Sequence, residues 1–333
     1  MANPHDALVK WTFAQPERAA DELRSALPAT ITARLDWSSL LLEPGSFVDP
    51  ELTERLTDLL FSVRTTDGST AKIYVLLEAQ RHADALMAYR LLRYMVRIWE
   101  RWLEGHPGVR KLPAILPVVL YNGAGRWTAA TDLRELFDLS PELLADTREL
   151  VPSFRFALDD LSAIPDDAIR ARVMEGLPKL VLLSLKHGGR DLADRLGGWI
   201  ELIRGVFAAP HGAEALARLV RYTIEVTDPG STSLDQLRET LAPAIGPKAQ
   251  EVVMTIAQQL IEQGRQEGRQ EGRQEGLNAG VARQRAALGR QLRSRFGELP
   301  PAVLAQIEAA DPDTLDRWSD RFVNATRLED VFA

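Results

Sequence analysis

Apolar residues recur at helical spacing in the opening stretch, NPHDALVKWTFAQPERAADELRSALP. Leu8, Val9 and Phe13, then Leu23 and Leu27, predict two short helices. Asn3 stands at an N-cap position with Pro4 at the first helical place, Pro16 opens the second helix, and Pro28 follows its end. DWSSLLLEPGSFVD then reads as a short strand stopped by Pro44-Gly45. LTDLLFSVRTTDGSTAKIYVLLEAQ reads as a hairpin, with strands over about 58–64 and 72–80 and an Asp-Gly turn signal at Asp67-Gly68. IYVLLEAQ is apolar almost throughout, as expected of a central strand covered on both faces.

From about Asp84 to Glu104 the pattern changes to a long amphipathic helix, ended by Gly105 and Pro107. LPAILPVVLYNG follows as another buried strand. A strand, a long helix and a strand in succession imply parallel pairing of those two strands. The first 130 residues therefore predict an α/β unit, a mixed sheet flanked by helices. Residues 131–260 read as a mostly helical extension, with an extra strand in FRFALDDL and no motif that carries chemistry. Residues 283–333 read as a small helical unit whose apolar residues are Leu315, Trp318, Phe322, Val323 and Leu328.

Between these, within the segment 261–282, lies EQGRQEGRQEGRQEGLNAG, with glycine at 264, 268, 272, 276 and 280. Steps of four overshoot a helical turn by about 40°, so the glycines wind around a helix rather than forming a straight seam. Five internal glycines cost about 5 kcal/mol relative to alanine. Two readings stay open: a semi-flexible connector, or a self-association helix whose small residues let two backbones approach. Its arginines and glutamates nearly cancel.

Composition narrows the chemistry. The chain has no cysteine and 5 histidines in 333 residues, which removes thiol catalysis, iron–sulfur clusters and cysteine–zinc sites. A net charge of −7 argues against coating nucleic acid by bulk charge. With no signal-like or membrane-length apolar run, the expected compartment is the cytoplasm and no membrane partner is expected.

Hard-metal carboxylate chemistry remains. Asp58 opens one hairpin strand and Glu78 lies near the end of its partner, so antiparallel pairing brings the two carboxylates to one end of the sheet. Mg²⁺ accepts one or two carboxylates. The Ala79 carbonyl adds an oxygen donor, and Gln80, on the same side of the strand as Glu78, could orient a water. That set suits metal-assisted phosphodiester hydrolysis. The competing reading makes Asp58 a strand-end residue and pairs Glu78 with an arginine. On the next helix Arg90, Arg93, Arg97 and Arg101 form one basic stripe, within a local excess of four positive charges between Arg81 and Lys111. It reads as a DNA phosphate-binding face or as an ordinary solvated one. In the first helix, Asp6 and Lys10 stand four apart, a stabilising pair or support for the sheet end, and His5 lies beside them.

In order, HDALVKWTF, LDWSSLLLEPGSFVD, LTDLLFSV, YVLLEAQ, YRLLRYM and LPAILPVVLYNG resemble the Rpn family of recombination-promoting nucleases, also described as YhgA-like putative transposases, within the PD-(D/E)XK nuclease superfamily. The resemblance covers roughly residues 1–210. It implies a restriction-endonuclease-like fold and a metal-dependent DNA endonuclease that uses Mg²⁺, or Mn²⁺ or Ca²⁺. The second reading is a catalytically weak or inactive DNA-binding or assembly protein that keeps the fold. Asp58 matches the first acidic motif, Glu78 and Gln80 the ExQ motif, Asp6 and Lys10 the N-terminal helix motif, and Arg90 and Tyr94 the helix after the ExQ strand. Thr57 stands where the superfamily has Pro, and Gln80 where it has Lys. A neutral Gln supplies no positive charge to a transition state, which leaves that task to metal and arginines.

Overall fold

A computed structural model of the chain describes residues 3–44, 59–67, 73–189, 192–227 and 233–332. Contacts divide it into two compact units, Met1–Ile256 and Ala257–Ala333.

The first unit opens with α1 (Pro4–Phe13) and α2 (Pro16–Ala26), followed by the one-turn α3 (Ala29–Thr32) that the hydrophobic pattern did not announce. Five strands follow: β1 (Leu35–Leu42), β2 (Leu59–Thr65), β3 (Ile73–Gln80), β4 (Ala114–Tyr121) and β5 (Ala157–Asp160). They lie in the order β1-β2-β3-β4-β5. β1–β2 and β2–β3 are antiparallel, whereas β3–β4 and β4–β5 are parallel, so β3 is central as its sequence implied. The β3–β4 crossover is α4 (Met87–Gly105). It starts three residues later than its apolar pattern suggests, because Asp84 stays outside it. The Leu86 N–H donates to Asp84 Oδ1 at 2.9 Å and the Met87 N–H to the Asp84 carbonyl at 3.1 Å.

The inner face of α4 buries Met87, Leu91, Met95 and Ile98 with Leu60, Ile115 and Val119 of the sheet. Burial of such side chains contributes about 1.5–3 kcal/mol each, more than propensity alone gives a helix of this length. Between β4 and β5 lies the short α5 (Pro141–Asp146). The rest of the unit is helical: α6 (Asp166–Ala171), α7 (Gly176–Lys186), α8 (Leu192–Leu196), α9 (Ile200–Ala208), α10 (Gly212–Val226) and α11 (Leu234–Ile245). α1 packs on α7 and α10, and α2 on β1 and β5.

α12 (Lys248–Phe296) is one helix through the whole glycine repeat. In the second unit its C-terminal part packs with α13 (Pro301–Ala309), α14 (Pro312–Asn324) and α15 (Glu329–Phe332) around Leu288, Leu292, Leu315, Trp318 and Val331. Leu315 and Trp318 are core residues as expected, with Phe322 and Leu328 packed beside them. Val323, which was expected to join them, is exposed. Among the described residues no helix is long and apolar enough to cross a membrane.

Candidate functional site

The parallel strands β3 and β4 end together. Glu78, Ala79 and Gln80 stand opposite Val119, Leu120 and Tyr121, and the Asn122 N–H donates to the Gln80 carbonyl at 2.9 Å, extending the ladder by one rung. Asn122 is buried, and its side-chain amide donates to the Leu185 carbonyl of α7 at 3.5 Å. Gly123 follows because nothing larger fits: a Cβ there would run into the Arg81 carbonyl and the Tyr121 hydroxyl. On the other side, the β2–β3 ladder is described as far as the pair Leu59↔Leu77. Asp58 lies outside the described residues, and Glu78 is described by its backbone. The set of Asp58, Glu78, the Ala79 carbonyl and Gln80 is made of oxygen donors, which suit a hard divalent cation. Among the described residues no three His, Asp or Glu side chains are grouped to hold a metal.

The proposed basic stripe on α4 is not uniform. Arg90 is half-buried, donates to Asp84 Oδ2 at 2.7 Å and to the Tyr94 hydroxyl at 3.2 Å, and so ties the start of the helix to its second turn. Burial pushes the Asp84 carboxyl up, but the hydrogen bonds from Arg90 and the Leu86 N–H outweigh it and hold Asp84 below the ordinary carboxylate range. Burial works against the Arg90 charge too, and Asp84 and Tyr94 again prevail. Tyr94 is buried under this pair. Arg93, Arg97 and Arg101 are exposed; Arg97 meets Glu100 at 3.0 Å and Arg101 meets Glu104 at 3.7 Å. Exposed pairs of this kind are worth under about 1 kcal/mol and exchange easily.

On α1, Asn3 caps the helix by accepting from the His5 N–H, as its sequence position suggests. His5 is buried, edge-on to Tyr222 of α10, with the Tyr222 hydroxyl 2.8 Å from His5 Nδ1. Burial, and then the positive charge of Arg81, push the His5 imidazole down to about 4. Burial raises the Tyr222 phenol. Near neutral pH the pair is therefore uncharged: the phenol donates, Nδ1 accepts, and the ring proton sits on Nε2. Gly188 closes over the pair, where a Cβ would lie 2.5 Å from the Tyr222 hydroxyl and 2.9 Å from His5 Cε1. The influence of Arg81 on His5 links α1 to the residue next after Gln80. Asp6 is half-buried and Lys10 exposed on the same helix.

Two charge clusters emerge that spacing along the chain did not reveal. Arg172 donates to both Asp159 oxygens at 2.7 Å and to Glu22 Oε2 at 3.2 Å, with all three side chains in the interior. Burial, followed by the Asp159 charge, raises the Glu22 carboxyl well above its ordinary range, and its other oxygen has no hydrogen-bond partner. The available signal was Asp159 itself, a carboxylate within the strand-like run FRFALDDL. Elsewhere Asp166 accepts from Lys186 at 2.7 Å and meets His187 Nε2 at 2.9 Å, joining α6 to the end of α7.

Residues 3–214 match the family model described as "Putative transposase, YhgA-like". The chain is 31% identical over 261 residues to the recombination-promoting nuclease RpnA of Escherichia coli K12, covering 78% of this chain and 84% of that one. It is 30% identical over 262 residues to RpnD of Escherichia coli O157:H7, a protein of the same description, covering 78% and 94%. It is also 30% identical to the inactive recombination-promoting nuclease-like protein RpnE of Escherichia coli K12, over 78% of this chain and 82% of that one. No solved structure matches.

Proposed function

Because the chain belongs to the YhgA-like family that includes the recombination-promoting nucleases, we propose that it is a metal-dependent DNA endonuclease of the PD-(D/E)XK type. The observation that carries this reading is the strand register. Leu59 and Leu77 face each other, and in sequence Asp58 immediately precedes Leu59 while Glu78 immediately follows Leu77, where β3 also runs parallel to β4. In this reading Asp58, Glu78 and the Ala79 carbonyl hold Mg²⁺, with Mn²⁺ or Ca²⁺ as other oxygen-seeking ions. A divalent cation bound there supplies Lewis-acid stabilisation of the charge that builds on the scissile phosphate. Gln80 orients the attacking water. Arg97 and Arg101 exchange their glutamate partners for DNA phosphates, and the exposed Arg93 joins them. Arg90 stays on Asp84 and Tyr94 and positions the start of α4, while α1, held by Tyr222, carries Asp6 and Lys10 as support. Residues 1–130 form the nuclease core and 131–260 its helical extension.

A single-turnover nicking assay on duplex DNA with Mg²⁺ or Mn²⁺ tests this. Activity is expected in the wild type and absent in Asp58→Ala and Glu78→Ala. Equal activity in those variants removes the site assignment. DNA binding without cleavage in any divalent metal turns the reading to a non-catalytic DNA-binding protein that keeps the fold.

A further inference from the structure

A run of arginines with no acidic neighbour in sequence lies in the second unit. From 281 to 296, α12 carries Arg283, Arg285, Arg290, Arg293 and Arg295 and no acidic residue, in a chain whose net charge is −7. Arg295 is occupied: it donates to the Phe322 carbonyl at 2.7 Å and lies over the Phe296 and Phe322 rings. Arg285, Arg290 and Arg293 instead line a groove of about 390 Å³ between α12 and α13. Its α12 side is kept low by Ala282, Ala286 and Gly289, and Leu304 and Ile307 of α13 form the opposite wall. A Cβ on Gly289 would meet nothing within 4 Å, so the groove is open at its middle.

Two observations mark it for an anion. Arg290 and Arg293 are exposed and make no ion pair among the described residues, in contrast to Arg90, Arg97 and Arg101 of α4. Arg285 uses one terminal nitrogen on the Ala310 carbonyl at 2.8 Å, yet its Nε is buried with no hydrogen-bond partner. The positive charge of a guanidinium whose donors are incompletely met lines the groove, and that charge favours an anion there. Glu308 is the single acidic group in the lining and opposes that ligand.

Length selects the ligand class. Arg285 and Arg293 lie eight residues apart, about 12 Å along the helix axis at 1.5 Å per residue. That exceeds the reach of one phosphate. It suits a strand with about one charge every 3.4 Å. We propose that this groove binds the phosphate backbone of DNA, as a second contact surface on a unit other than the one that carries Asp58 and Glu78. The proposal rests on the nuclease reading for its choice of DNA and extends it to the C-terminal unit.

The test is the salt dependence of binding, measured by fluorescence anisotropy with full-length protein, a labelled duplex and a chelator that prevents cleavage. The double variant Arg290→Gln, Arg293→Gln removes two exposed charges and leaves the core untouched, which circular dichroism checks. Its affinity is expected to fall, and the slope of log affinity against log salt to shrink by about 1–2. Glu308→Gln is expected to bind more tightly than wild type. Unchanged affinity and slope in the double variant overturn the proposal. So does a change confined to oligomeric mass in light scattering, since the groove would then take protein. Groove-dependent binding without cleavage in Mg²⁺ or Mn²⁺ supports the groove and counts against the nuclease reading alone. Cleavage with an unaltered salt slope does the reverse.

Discussion

Acidification should destabilise the N-terminal unit through one imidazole. His5 titrates near 6.5 in an unfolded chain and near 4 in its buried place against Tyr222 and Arg81. The folded-state value is depressed, so the unfolded chain binds the extra proton first as pH falls. The contribution of neutral His5 is complete above about 6.5, declines through the interval, and is lost below about 4. Holding the imidazole at about 4 instead of 6.5 amounts to about 3 kcal/mol, at about 1.36 kcal/mol per pH unit. That is a large part of the 5–15 kcal/mol typical of a folded protein. Urea unfolding of wild type and His5→Asn at several pH values between 7 and 4.5 measures it. Asparagine cannot take up the proton, so the gap between the two proteins should be largest at pH 7 and narrow steadily toward 4.5. A gap that stays constant over that range would refute the reasoning. So would a His5 resonance that titrates near 6.5 in the folded protein. Comparison with a variant is necessary because Glu22 has a raised value and works with the opposite sign. Its protonated form favours the fold most below its unfolded value, and that contribution is lost as pH rises toward its folded value.

Other perturbations have equally definite outcomes. Arg172→Met leaves Glu22 and Asp159 buried against each other without their cation and should cost about 3–5 kcal/mol in denaturant unfolding; a loss under about 1 kcal/mol would mean that the cluster is relaxed elsewhere. Gly188→Ala should displace the Tyr222 hydroxyl from His5, visible as a rise in the His5 titration midpoint by NMR, because the new methyl would occupy that space. Alanine at 268, 272, 276 and 280 should stabilise the repeat helix by up to about 1 kcal/mol per site and raise its thermal midpoint, since each Cβ points into open space; a lowered midpoint together with a smaller molecular mass would instead show that a second copy approaches those glycines.

The strand order and the crossover helix were legible because their signals are local. IYVLLEAQ and AILPVVLY are almost wholly apolar runs, the Asp-Gly signal at Asp67-Gly68 falls between the two hairpin segments in sequence, and the period changes at α4. The helix start was read too early because Asp84, a polar residue that looks like a first-turn acid, spends its carboxylate on the Leu86 N–H and Arg90 instead. The arginine stripe was legible as spacing, but the engagement of Arg90 with Tyr94 and Asp84 needed the fold. The interior pairs were out of reach for a stronger reason. Glu22 and Arg172 are 150 residues apart, and His5 and Tyr222 are 217 apart, so no window along the chain contains both partners. Val323 was misplaced because a pattern count does not tell which side of α14 turns to the small core.

The dependence of α1 on α7 and α10 also sets a timetable for synthesis. Strand pairing in β1–β3 needs only neighbouring segments and takes microseconds once they are available. The first helix of the chain packs on α2, α7 and α10, so its cover is complete only once residues near Tyr222 have emerged. At 5–20 residues per second, the 217-residue interval lasts on the order of 10–40 s. Until then the nascent sheet exists beside a helix whose apolar side, with Leu8, Val9 and Phe13, is only partly covered. A ribosome-bound chain halted before α10 should expose that face to chaperones and proteases, and a chain released past it should not.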